Sequence, residues 1–270
     1  VFSRAASFLL ASTVVACEPE LVVGSLTCTA GAETAGDGGA AGSDGGDPGP
    51  VFVGDVSVPW STSFEEGFCD YRWAGGFCYS DPDAGYEIVT EPVRTGRFAA
   101  AFKVTSDPML DGTQARCVRQ GVFPSEGYYG AYYYVPSVAT NEGNWNLFHF
   151  QGGTPGELLH GLWDVSIRNE PDGALSLYVF DFFDGAGVVP AEPFPIPIGE
   201  WFHVEVHWKR APDATGELAL YQDGRLVVRM DDRTTDDTEW GQWYVGNLAD
   251  ALMPAGSTIY VDDVTIRGTP

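Results

Sequence analysis

The sequence reads as an all-β protein, a sandwich of two packed antiparallel sheets. Three observations carry that reading. No long segment repeats apolar residues at a 3.6-residue period. Short runs of period two recur instead, separated by Gly, Pro and Asp. And Asp223-Gly224 stands between two such runs, a strong signal for a two-residue hairpin.

In chain order, residues 1–16 (VFSRAASFLLASTVVA) form a short apolar segment with one Arg and small residues at its end. This is the pattern of a signal peptide. VVAC has the form of a bacterial lipobox, so Cys17 is the expected lipid-modified first residue of a mature chain, the alternative being a conventional signal peptide cleaved elsewhere. More than one acyl chain holds a protein firmly to a bilayer. The expected location is therefore the cell envelope or outer surface, with the lipid anchor as the only membrane contact. Residues 17–50 read as a tether. Their second part, GAETAGDGGAAGSDGGDPGP, has no aromatic or large aliphatic side chain, and such composition buries too little surface to offset the entropy of ordering. The folded domain is expected over 51–270.

With Cys17 assigned to lipid, Cys28, Cys69, Cys78 and Cys117 remain. In an oxidising compartment these should pair, and three connectivities are open. Their spacing does not suit CxxC metal or redox chemistry.

The candidate strands are 98–104, 114–120, 128–135, 145–151, 163–168, 175–182, 201–208, 217–222, 225–230, 242–246 and 258–266. In 201–208, Phe202, Val204, Val206 and Trp208 share one face, and His203, Glu205 and His207 share the other. The latter trio could approach a transition metal, but its imidazoles need not converge on a twisting strand, and a solvated face is the reading preferred. In 163–168 the polar face is Asp164, Ser166 and Arg168. In 145–151, strict alternation puts Trp145, Leu147, His149 and Gln151 on one side. A strand that is apolar on one face and aromatic-polar on the other fits a sheet with a ligand-facing surface.

The composition narrows the ligand. There are 38 Asp and Glu against 14 Lys and Arg, a formal charge of −24. Nucleic acid is excluded as a partner, because no cation surplus exists to displace counterions. A local Arg can still hold an acidic ligand inside a negative shell. Arg116 and Gln120 share a face of 114–120, and Arg119 points away. His149 is the best candidate base, since imidazole exchanges a proton near neutrality. Arg116 and Gln151 could stabilise charge developing on a carboxylate. Tyr132, from the dense tyrosine run, is the expected phenolic proton donor. Trp145, Arg119 and Tyr134 are the further expected sugar contacts. These parts suffice for β-elimination from a uronic acid. Glu65, near the start of the domain, and Asp262 with Asp263, on the last strand, could meet, because first and last strands of a sandwich commonly neighbour each other. Clustered carboxylates need a cation, so a structural Ca2+ is expected there. A monomer is expected.

These segments together resemble a known group. SFEEG at 63–67 is followed by Arg116-x-x-Arg119, YYGAYYYVP at 128–136 and WNLFHFQGG at 145–153. GALSLYV at 173–179, GEWFHVEVHW at 199–208, ATGELALYQDG at 214–224 and TIYVDDVTI at 258–266 follow in turn. The set resembles the concanavalin A-like jelly-roll polysaccharide lyases, the group containing heparin lyase I-like and glucuronan lyase-like proteins. The resemblance implies a jelly-roll sandwich, a uronic-acid-containing polysaccharide as partner, and a Gln and a His on the strand matched by 145–151. A binding-only protein on the same fold is the alternative.

Overall fold

The computed structural model describes Cys28 and residues 51–105 and 112–268. The signal segment, Cys17 and the Gly-rich tether lie outside the described residues. Strand β1 (Trp60–Thr62) precedes a short helix, α1 (Cys69–Trp73). Next come β2 (Phe77–Ser80), β3 (Ala84–Val89), β4 (Ala99–Val104) and β5 (Thr113–Val122). The middle of the chain forms β6 (Glu126–Tyr134), β7 (Thr140–Asn141), β8 (Trp145–Gly153), β9 (His160–Asn169), β10 (Leu175–Asp181) and β11 (Ala186–Val188). The remainder supplies β12 (Trp201–Lys209), β13 (Gly216–Gln222), β14 (Arg225–Arg233), β15 (Trp240–Ala249), β16 (Leu252–Met253) and β17 (Ser257–Gly268).

Two large antiparallel sheets result, beside a 2-stranded pair of β7 and β16. A 7-stranded sheet has the order β11-β10-β9-β8-β15-β5-β2. An 8-stranded sheet runs β14-β13-β12-β6-β17-β4-β3, with β1 also paired to β17. First and last strands are thus neighbours, as the sequence suggests. Each strand read from the sequence is present within a few residues at each end. The additional strands are short or lie at sheet edges, where period-two patterning has little length to show itself.

The inner faces of the sheets make one aromatic core. Phe202, Val204, Val206 and Trp208 from β12 are buried there, as are Trp163, Val165 and Ile167 from β9. Phe150 stacks on Trp163 with ring centroids 3.6 Å apart and meets Trp208 edge-on at 4.9 Å. Burying side chains of this size contributes roughly 1.5–3 kcal/mol each. The β13–β14 hairpin turns at Asp223 and Gly224, whose φ of 52° and 76° match a turn with both central residues left-handed. Two disulfides close the N-terminal region, Cys28–Cys69 and Cys78–Cys117. The second joins directly opposed residues of β2 and β5.

Several expected placements are corrected. β6 belongs to the 8-stranded sheet, between β12 and β17. Tyr129, Ala131 and Tyr133 point from it into the core. Tyr132 and Tyr134 therefore point outward, on the far side of the molecule from the face carrying His149. Tyr132 stacks on His203 at 4.5 Å under the Arg94 guanidinium, and Tyr134 packs against Trp201 and Tyr260. Arg119 is fully buried on the core side of β5, its guanidinium 4.6 Å from the Trp60 ring centroid and hydrogen-bonded to the Ala74 carbonyl. Burial lowers its pKa to about 10.

Trp145 is also in the core, donating from Nε1 to Asn247 Oδ1 at 3.1 Å. The reason is a β-bulge. Asn146 pairs with Ser166 and Phe148 with Val165, so β8 has one more residue than β9 at this point. An extra residue inverts the alternation N-terminal to it. Asn146, not Trp145, joins His149 and Gln151 on the outer face.

The carboxylates expected to hold Ca2+ act as anchors for the loop between β3 and β4. Glu65 Oε1 accepts N–H bonds from Arg97 and Phe98 at 2.7 and 3.1 Å. Asp262 Oδ2 accepts from the backbone N–H groups of Arg94 and Thr95, at 3.0 and 3.1 Å, and its Oδ1 from that of Asp263 at 2.8 Å. Asp263 pairs with the Arg94 guanidinium. Calcium needs several converging oxygens, and here N–H donors and a guanidinium occupy those directions. The arrangement as it stands does not fit the ion. Among the described residues no group of three or more His, Cys, Asp or Glu side chains is placed to hold a metal.

Candidate active site

The outer face of the 7-stranded sheet carries the polar constellation. Directly paired residues on antiparallel strands point the same way. Tyr244 of β15, His149 of β8 and Asp164 of β9 are successive partners across three strands and form one row. Gln120, Gln242 and Gln151 form the next. Arg116 lies on β5 opposite Tyr79 of β2. A cavity of about 250 Å³ opens over these residues, lined by Arg116, Asn146, His149, Gln151, Asp164 and Tyr244 among others. A larger cavity, about 640 Å³, lies at one end of the sheet beside Trp240 and Leu158. It holds a half-exposed His160, bound to Asp237 at 2.9 Å, but brings no Arg or Tyr to that pair.

A hydrogen-bonded chain runs through the smaller cavity. Arg116 Nη2 donates to Asn146 Oδ1, and Asn146 Nδ2 donates to Asp164 Oδ2 at 3.2 Å. Asp164 Oδ1 accepts from His149 Nδ1. Asp164 is buried, with side-chain exposure of 2%, against 11% for His149. A buried carboxylate at Nδ1 fixes the imidazole tautomer and leaves Nε2 as the nitrogen for a ligand proton. Arg116 reaches from β5 across β15 to a residue of β8, a span of roughly 9.5 Å. Its partner there is an amide, so its positive charge is not neutralised by that contact.

Tyr244 completes the set. Its hydroxyl donates to Gln151 Oε1 at 2.8 Å, and Gln242 Oε1 is the alternative acceptor. Its ring centroid is 5.2 Å from that of His149, and the Arg116 guanidinium lies 5.5 Å from it. Burial pushes the Tyr244 phenol well above the ordinary tyrosine value, with Arg116 opposing. Tyr79, which donates to Gln114 at 2.8 Å, is raised for the same reason. Both phenols therefore stay protonated near neutrality.

Of the residues singled out in the sequence, the structure brings His149, Gln151 and Arg116 together. It does not bring Tyr132, Tyr134, Trp145 or Arg119 to them. Tyr244, Asp164 and Asn146 take the neighbouring places. Tyr244 was legible in principle, since Gln242 and Tyr244 alternate with Trp243 and Val245 in one short strand.

A polar groove on one sheet of a two-sheet β-sandwich is the framework of a jelly-roll carbohydrate-active protein. The chain belongs to a polysaccharide lyase family, whose model, described as polysaccharide lyase, matches residues 53–265. Among solved structures, the chain is similar to an endo-β-1,4-glucuronan lyase from the fungus Trichoderma reesei, with TM-score 0.57 and 17% identity over 72% of this chain and 90% of that one. It is also similar to the cellulose induced protein Cip1, with TM-score 0.52 and 13% identity over 77% and 97% of the two chains. An alginate lyase, Aly36B, solved with an alginate trisaccharide, gives TM-score 0.51 and 13% identity over 80% and 100%. At these identities the likeness shows the fold. No curated protein sequence matches the chain.

Proposed function

We propose that the protein is a polysaccharide lyase that cleaves a uronic-acid polymer by β-elimination. The observation that carries this is the convergence in one groove of His149, held by Asp164, with Arg116, Gln151 and the Tyr244 phenol. Family membership and the similarity to a glucuronan lyase and an alginate lyase support the substrate class. Arg116 and Gln151 bind the carboxylate of the sugar on the acidic side of the bond, and Asn146 positions Arg116. His149 Nε2 takes the proton at C5. The electron pair is held on the carboxylate by Arg116, which gains strength as negative charge accumulates. The C4–O bond then breaks, a C4=C5 double bond forms, and Tyr244 gives its proton to the departing oxygen. No external oxidant or water is consumed.

The envelope location and lipidated Cys17 belong to the same proposal. Two disulfides are what an oxidising compartment permits. The test is incubation with glucuronan, alginate and heparin-type polymers while following ultraviolet absorbance of the unsaturated product. Rising absorbance on at least one is expected. Retained binding with flat absorbance across all of them would leave only a carbohydrate-binding protein.

A further inference from the structure

A further cavity, of about 330 Å³, lies on the same sheet face and is lined by Arg168 and Tyr178, with Asn141, Asn169 and the carboxylate Glu142 beside them. We infer that it is a subsite for the carboxylate of a neighbouring sugar in the same polymer, with Arg168 as the residue that reads it. This rests on the polyuronate reading above and extends it from one acidic sugar to a run of them.

Three observations converge. The first is charge. The strands of the 7-stranded sheet carry only three basic side chains of the Lys/Arg type, Arg116, Arg119 and Arg168. Arg119 points into the core, so Arg116 and Arg168 are the two Lys/Arg side chains that these strands turn to the groove face, in a protein with net charge −24. Two cations on such a surface are matched to a ligand with more than one anion.

The second is continuity. Asp164, Ser166 and Arg168 alternate along β9 and share its outer face, and Tyr178 of β10 pairs with Ser166. Ser166 donates to Asn144, which lines the first cavity, at 3.4 Å. This pair links the element that lines the first cavity to the strand that carries Arg168. From Asp164, beside the base, to Arg168 is roughly 13 Å along the strand, longer than one pyranose ring. Arg168 therefore addresses a different sugar from the one that loses its proton.

The third is preorganisation. Glu170 Oε1 lies 3.1 Å from Arg168 Nε and also accepts from Ser176. That contact uses the inner edge of the guanidinium. The two terminal nitrogens remain as a fork for a carboxylate, the geometry for which Arg is suited and Lys is not. The side chain is 36% exposed, which leaves it within reach of a ligand.

The experiment is a binding cycle by titration calorimetry in a His149→Ala background, which prevents cleavage. The probes are a β-1,4-linked glucuronic acid tetrasaccharide and its carboxyl-reduced form. The expected result is that Arg168→Gln weakens the acidic tetrasaccharide about tenfold and the reduced one far less, with Arg168→Lys in between. Unchanged melting temperature shows that the variants are folded. Equal weakening of both ligands, or none, overturns the subsite. If the wild type binds the acidic tetrasaccharide through Arg168 but cleaves no polymer, the subsite stands and the lyase reading fails. If the wild type binds neither ligand, both are overturned.

Discussion

The two sheets present polar outer faces of nearly the same composition, yet the chemistry available on them differs. Each has histidine, tyrosine, arginine and carboxylate side chains. On the 8-stranded sheet the charges neutralise one another. Arg94 pairs with Asp263, Arg267 with Glu205, and His207 Nε2 with Glu126 at 2.8 Å. His203 is stacked flat on Tyr132, and burial lowers its pKa, favouring the neutral ring. On the 7-stranded sheet, His160 and Arg168 also meet carboxylates, Arg168 through Nε, but Arg116 holds an amide, and a single buried carboxylate serves His149 through one nitrogen. What distinguishes a reactive face from a structural one is therefore not its residue types. It is whether cationic and proton-accepting groups keep an unneutralised side toward open space.

Exchanging histidines gives the largest test of that contrast. His149→Ala should lower kcat/KM on the active polymer about 10³-fold, the loss typical of a general base. His203→Ala should change it less than twofold, while costing about 1 kcal/mol of stability through the lost aromatic pair. Comparable losses of activity in both variants would show that the faces are not functionally distinct.

The tyrosines sharpen the comparison at a smaller scale. Tyr244→Phe should lower kcat about 10²-fold, whereas Tyr132→Phe on the opposite sheet should leave it unchanged. The sign of the pH effect follows from the raised Tyr244 phenol. An acid with raised pKa keeps its proton longer as pH increases, so the loss of activity due to Tyr244 ionisation should begin above the ordinary tyrosine value of about 10. A decline below pH 9 that disappears in Tyr244→Phe would contradict the assignment.

Much of this architecture is visible in the amino-acid order, and the exceptions have local causes. Alternation assigns the inward side chains of β12 and, from Trp163 to Ile167, of β9, because these stretches pair regularly on at least one side. In β8 the same rule works from Phe148 onward and reverses at Asn146, because a bulge is a pairing event between strands and leaves no mark on one strand's composition. Hence His149 and Gln151 are legible in the sequence, whereas Trp145 and Asn146 exchange faces. Tyr132 is displaced for a different reason. Period two says that Tyr132 lies opposite Tyr133, but not which sheet will hold β6. That is set by pairing with β12 and β17, distant in the chain. The partnership of Asp164 with His149 likewise depends on inter-strand register.

The smallest expected effect lies on the structural face, in the loop anchored by Asp262. Burial raises the pKa of this carboxyl to about 6, against the pull of its three N–H donors. The folded protein then holds a proton between about pH 4 and 6 that the unfolded chain has released. A group of this kind favours the folded state most at the acidic end, and its contribution falls as pH rises through that window and is constant above it. Asp262→Asn should therefore flatten the decrease in Tm between pH 4 and 6.5, by an amount on the order of 2 °C. The carboxylate also accepts from Arg94, Thr95 and Asp263, and an amide offers only one acceptor oxygen, so a uniform fall in Tm should accompany the flatter slope. Added CaCl2 or EDTA should leave both melting curves in place, because N–H groups already face the oxygens that a cation would need. A Tm increase with CaCl2 in the wild type that disappears in Asp262→Asn would instead identify these carboxylates as a cation site that rearranges its loop to bind, and would make this face a ligand-binding surface after all.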